Sequence, residues 1–271
     1  MKTSTRQVIA LLTAFLGFLA AATPATSGCT IFVAAQDGIV LAGNNEDNSA
    51  DFNPDTRISF LPADHDRHGI VFLGYADGAP QGGMNDQGLF FDGATLPNGV
   101  QCLVGERSGR TAILEFLPDK RTALINGEGA QLIDAMMSRC ATVEEALEIL
   151  TKRFDEKGIP YKILRGSGDY QVATNFQQSI TPRAKITCWR YRTAAKMLSE
   201  DQPLSVNLVR SILRATHQEG KVKTFYSNIC DLKNGVIYLY DRGDFDKVVE
   251  LHLDEELKKD RRELKLSEYF K

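Results

Sequence analysis

The chain has 271 residues, 43% of them hydrophobic and 25% charged, and a formal net charge of −3. That length and balance suit one large globular domain with a substantial core, and the lack of a basic tract argues against nucleic acid as a partner. The five cysteines fit no zinc spacing, and their odd number leaves at least one unpaired within the chain.

Residues 1–28 carry Lys2 and Arg6, an apolar run from Val8 to Ala22, and small residues around Pro24. This is the pattern of a secretory signal peptide. Residues 1–28 are therefore read as a removable leader, and 29–271 as a single exported domain, periplasmic or secreted. No later segment reaches the roughly 18 apolar residues of a membrane span. Cleavage after Ala25, Ser27 or Gly28 puts Cys29 at or near the mature N-terminus.

The stretch 29–47 reads as a hairpin. Residues 31–35 and 39–43 are apolar and rich in β-branched types, and Asp37-Gly38 between them suits a two-residue turn. Counting outward from Gln36 opposite Ile39 brings Cys29 opposite Glu46, with Asn44, Asn45 and Asp47 close by. Three readings of Cys29 follow. Its freed α-amine, with a pKa of about 7.7, can act as base for its own thiol. It can carry lipid as an exported binding lipoprotein, although Thr26 suits a lipid signal poorly. Or it is a small buried hydrophobe at the start of a strand.

Further strands are read at 58–61, 70–74, 89–94 and 111–117, with a turn over 85–88 in which Asn85 is first of all a turn residue. Helices are read at 130–137 and 143–153, the second opened by a Thr142–Glu145 capping box. Residues 170–176 form a strand ending near Asn175, whose amide suits a developing oxyanion. Helices follow at 188–198 and 205–215, then a hairpin of 224–230 with 235–240. The charged tail 254–271 is read as a helical solvated face. Strands at both ends and helices between them fit an α+β arrangement.

These residues together carry a resemblance. Cys29-Thr30, Asp37-Gly38, Gly43-x-Asn45-x-Asp47, Gly83-Met84-Asn85-x-x-Gly88-Leu89, Thr174-Asn175-Phe176 and Arg190 before Tyr191-Arg192 stand in the order of the choloylglycine hydrolase and penicillin V acylase family. These are N-terminal-nucleophile (Ntn) hydrolases, and acyltransferases of the isopenicillin N type are similar. The resemblance runs from Cys29 to about Tyr240. It implies a four-layer αββα sandwich, with two antiparallel sheets between helix layers. It also implies cleavage of a linear, non-peptide amide C–N bond in a small-molecule substrate. Cys29 would be nucleophile and, through its amine, base. Asp47 would hold the amine, Asn175 would donate to the oxyanion, and Arg190 would aid ionisation of the thiol. Thr95 falls where the family places a second oxyanion group, and Asn44, Asn45 and Asn85 complete the candidate oxyanion and substrate-binding set. The acyl pocket would be built by loops near 51–66 and 97–105. Neither metal nor organic cofactor is called for, and the charged tail leaves homo-oligomerisation open.

Two departures stand out. The family's arginine in Gly-Arg-Asn-x-Asp is Asn44 here, which removes a positive charge from beside Cys29. The segment 108–115 resembles a strand that follows the helical pair in the family, and here it precedes that pair. Asn44 keeps a catalytically inactive Ntn-fold binding protein as a competing reading.

Overall fold

The computed structural model describes residues 28–52, 55–76, 80–97, 99–116 and 128–271. The predicted leader, apart from Gly28, lies outside them, as does the predicted strand end at Leu117. Strands β1 (Thr30–Gln36) and β2 (Ile39–Ser49) pair antiparallel, with Gln36 opposite Ile39 and Thr30 opposite Asn45. Asp37 and Gly38 both take positive φ, 50° and 82°, as a type I′ turn requires. This is the register counted from the sequence.

Two antiparallel sheets are built around that hairpin. The first has the order β10-β1-β2-β11-β12-β13, with β10 at Tyr170–Ala173, β11 at Val222–Asp231, β12 at Val236–Asp241 and β13 at Asp244–His252. The second has the order β14-β3-β4-β5-β6-β7-β8-β9. Its strands are β3 (Thr56–Leu61), β4 (Ile70–Tyr75), β5 (Pro80–Asn85), β6 (Phe90–Leu96), β7 (Gly99–Gly105), β8 (Thr111–Phe116), β9 (Tyr161–Arg165) and β14 (Arg262–Lys265).

Helices α1 (Glu128–Arg139) and α2 (Val143–Lys157) cover one outer face. Their Met136, Met137, Leu147 and Phe154 pack on Phe72, Phe91 and Leu114 of the second sheet. Helices α3 (Trp189–Ser199) and α4 (Val206–Thr216) cover the other. There Val209, Ile212 and Leu213, spaced for one helical face, meet Phe32, Leu41 and Ile229. Between the sheets lies a third apolar layer that includes Cys29, Ile31, Val33, Ile58, Val71, Met84 and Leu103. The result is the αββα sandwich. Gly43 is the close-approach point of the first sheet, because a Cβ there would stand 2.7 Å from Phe32 and 3.0 Å from Val209 of α4.

The helix ends follow local rules. Thr142 and Glu145 form the capping box of α2, and the Ser205 side chain accepts from the Leu208 N–H at the head of α4. The tail differs from its expected helix. Only Leu253–Glu256 is α-helical (α5), Leu266–Phe270 makes a short 3-10 turn, β14 pairs with β3, and Leu266 is buried with Tyr269 and Phe270 packed on the inter-sheet core. Leu264, Leu266 and Phe270 pack on the apolar layer between the sheets, and Arg262 stacks 3.9 Å above the Phe60 ring. Residues 99–105, expected as a loop of the acyl pocket, form β7. Strands β9 and β13 had no expectation in the sequence: most of their residues are exposed or half-buried, so the hydrophobic pattern is faint.

Candidate active site

The site is built where β2 meets β1 on one side and β11 on the other. Cys29 stands at the head of β1 and is 5% exposed. Its Sγ donates to Glu46 Oε2 at 3.7 Å and to the Asp47 carbonyl at 3.9 Å. Pairing of β2 with β11 carries a bulge: Asp47 faces Thr224 and Glu46 faces Tyr226, with Phe225 as the extra residue. An extra residue re-aims neighbouring side chains. Here it lets Thr224 reach Asp47 on one face while Tyr226 follows Glu46 on the other.

Arg190, in the first turn of α3, clamps the peptide on either side of Cys29. Its Nη1 donates to the carbonyls of Gly28 at 2.6 Å and Cys29 at 2.5 Å and to Thr30 Oγ1 at 3.0 Å. Its Nη2 donates to Asn175 Oδ1 at 3.0 Å. Asn175 Nδ2 in turn donates to the Thr95 carbonyl at 2.8 Å. Gln218 Nε2 reaches both the Gly28 carbonyl at 3.0 Å and Asp47 Oδ2 at 2.8 Å. Thr224 donates to Asp47 Oδ1, and Arg190 Nη1 stands 3.8 Å from Asp47 Oδ2. Cys29, Asp47, Asn175 and Arg190 therefore belong to one connected group. Arg190 spends its donors on backbone carbonyls and on Asn175, not on the sulfur.

The remaining expected residues divide. Asn45 ties β2 to α4, donating to the Leu213 carbonyl at 3.0 Å and to Thr216 at 3.1 Å, and it accepts from Ser227 at 2.6 Å. Asn85 is spent on its turn and on α1: it accepts from the N–H of Gln87 and Leu89 and donates to the carbonyls of Met137 and Cys140. The Thr95 side chain is exposed, and its carbonyl is the partner of Asn175. Asn44 is fully buried with neither amide atom in a hydrogen bond of ordinary geometry.

The sequence reading passed over three groups. Tyr75 donates to Glu46 Oε1 at 2.6 Å. Asp92 of β6 is 1% exposed with neither oxygen in a hydrogen bond of ordinary geometry. Tyr226 is fully buried with its hydroxyl unpartnered. All three reach the site across sheet contacts far apart in sequence, and no local pattern announces them. Glu46 did have a signal, since the hairpin count already set it opposite Cys29.

Electrostatics here favour neutral forms. Burial pushes the Cys29 thiol well above its ordinary range, and Glu46 and Asp47 push it further. Burial raises Glu46 to about 7 against the pull of the Tyr75 hydroxyl; Asp47 raises it too, and Asn44 lowers it. Asp47 rises to about 7 through burial, opposed by Thr224, Gln218 and Arg190. Burial and the charge of Glu46 raise Asp92 strongly. The open cleft of about 750 Å³ lined by Arg57, Arg67, Tyr75, Asp134 and Arg139 runs along β3, β4 and α1 and does not include Cys29. All five cysteines are free, and the described residues contain no cluster of His, Cys, Asp and Glu set to hold a metal.

Together these layers define the class by fold: an αββα sandwich of the N-terminal-nucleophile hydrolase type. No family model matches the chain, and no curated protein does. Among solved structures, one variant of the conjugated bile acid hydrolase from Clostridium perfringens aligns with a TM-score of 0.54 at 13% identity, over 88% of this chain and 97% of that one. A second variant of that enzyme gives 0.53 at 13% identity, over 88% and 96%. The penicillin V acylase from Agrobacterium tumefaciens aligns at 0.49 and 14% identity, over 88% and 92%. At such identities the likeness is one of fold.

Proposed function

We propose that this protein is a hydrolase of a linear, non-peptide amide C–N bond, acting through Cys29 as an N-terminal nucleophile. The observation that carries the reading is the position of Cys29 at the head of β1, with its own carbonyl gripped by Arg190. Fold likeness to a conjugated bile acid hydrolase supports it. Export through the signal-like N-terminus and removal of residues 1–28 free the Cys29 amine.

In the reaction, the Cys29 sulfur attacks the amide carbon, and the thiol proton passes to a base beside it. The resemblance names the freed α-amine as that base. One Asn175 N–H is held by the Thr95 carbonyl and orients the amide; the other, with a backbone N–H, receives the oxyanion. The C–N bond breaks, the amine departs with a proton, and water hydrolyses the thioester. Substrates are N-acyl amides, with penicillin V and conjugated bile salts as first candidates.

The test is a hydrolysis panel of those compounds, run with protein whose intact mass begins at Cys29. Cys29→Ala is expected to abolish turnover and leave the melting curve intact. Turnover retained in Cys29→Ala overturns the reading. Asn44 and the raised thiol pKa favour one competitor, an inactive binding protein of the same fold. It predicts saturable ligand binding without turnover in the mature wild type.

A further inference from the structure

Resting on the reading of Cys29 as nucleophile, we propose that Glu46, held by Tyr75, is the group that takes the thiol proton on this chain. Three observations place it there. Glu46 Oε2 is the side-chain acceptor nearest the sulfur, at 3.7 Å. Its other oxygen is fixed by the Tyr75 hydroxyl at 2.6 Å, so the carboxylate is oriented before any substrate arrives. And Asn44, where the resembled family carries an arginine, is neutral and supplies no cation beside the thiol.

The surroundings decide which group can act as base. Around Glu46 stand Cys29 from β1, Asp47 from β2, Tyr75 from β4, Asp92 from β6 and Tyr226 from β11, with Arg190 of α3 beyond Asp47. Above about pH 7, where Glu46 and Asp47 carry charge, they favour the ammonium form of a free α-amine at the start of β1, which donates protons and does not accept them. A preformed thiolate is disfavoured for the same reason, so the proton must leave as the sulfur attacks. Glu46, raised by burial to about 7, is matched to that task near neutral pH.

The proton and electron balance closes. The S–H bond breaks to Glu46 as the S–C bond forms, and the carbonyl π pair moves to oxygen. The C–N bond breaks as the α-ammonium protonates the departing nitrogen. Water then attacks the thioester, giving its proton to the α-amine, and the S–C bond breaks as Glu46 returns its proton to sulfur.

The test needs no substrate, so it stands apart from the hydrolysis panel: a failed panel leaves this outcome readable. The alkylation rate of Cys29 by iodoacetamide is measured from pH 5.5 to 9.5 on the mature protein, with Cys29 resolved by peptide mass. Wild type is expected to show an inflection near pH 7. Glu46→Gln keeps the acceptor for Tyr75 and removes the base. It should lose that inflection and react about tenfold more slowly at pH 7.5. If Glu46 is merely a like-charge neighbour, Glu46→Gln reacts faster, because the thiol ionises more readily. A faster or unchanged rate overturns the proposal. Tyr75→Phe is the second variant, decisive where Glu46→Gln does not fold. It removes the donor that lowers the Glu46 pKa and should move the inflection to higher pH; an unmoved inflection overturns the proposal.

Discussion

The two faces of β2 carry the same chemistry to opposite ends. Asn44, Asn45, Glu46 and Asp47 are four consecutive buried polar residues, and strand alternation sends them to opposite sides. On the face toward α4, Asn45 has three partners and Asp47 is bound by Thr224 and Gln218. On the face toward the second sheet, Asn44 makes no hydrogen bond of ordinary geometry, and Glu46 is held by Tyr75 and the Cys29 thiol, with Asp92 and Tyr226, also lacking bonds of ordinary geometry, near it. Buried polar groups are nearly always satisfied, and exceptions collect where function requires them. The satisfied face holds the hairpin on the helices, and the unsatisfied face points at the thiol.

The sharpest way to break that contrast is to treat the two asparagines alike. Asn45→Leu strands the Leu213 carbonyl, Thr216 and Ser227 in the interior and should cost about 2–4 kcal/mol in urea unfolding. A loss under about 1 kcal/mol would mean that this face is not the structural one. The second effect is on pH. Glu46 and Asp47 have folded pKa values raised to about 7, so the folded state keeps protons that the unfolded chain releases near pH 4. Their contribution to stability is complete at low pH and is lost as pH rises through about 7. The melting temperature should fall between about pH 4 and 7 and level off above that, and Glu46→Gln should flatten that fall. An equal slope in the variant would contradict the assignment. The smallest effect is expected at Asn44. Asn44→Leu removes two orphaned amide atoms at similar volume and should leave stability within about 1 kcal/mol of wild type, or raise it. A larger loss would reveal a hydrogen bond made in solution.

Much of this site is legible in the chain itself, because one hairpin is local. The positive φ at Asp37 and Gly38 sets a two-residue turn, and the strand period of two then places Cys29 against Glu46 by counting. The capping box of α2 and the apolar face of α4 are equally local, since a cap and a helical stripe are written within one or two turns. Asn85 was legible as a turn residue for the same reason.

Tertiary structure decided the rest. Gln218, Thr224 and Tyr226 arrive with β11, whose place beside β2 and whose bulge at Phe225 depend on pairing across more than 170 residues of chain. Tyr75 and Asp92 arrive from the second sheet, stacked over the first, where nothing in the strands that carry them marks a partner. Leu264, Leu266 and Phe270 show the same limit: the tail reads as solvated charge until β3 and the inter-sheet layer supply something to pack on. Sequence determined what is set by short-range geometry, the place of Cys29 and the carboxylate facing it. The long-range stacking of two sheets decided which carboxylate is oriented, which arginine is occupied, and which polar atoms are left unpaired. Those outcomes depend on burial and on neighbours that no local window contains.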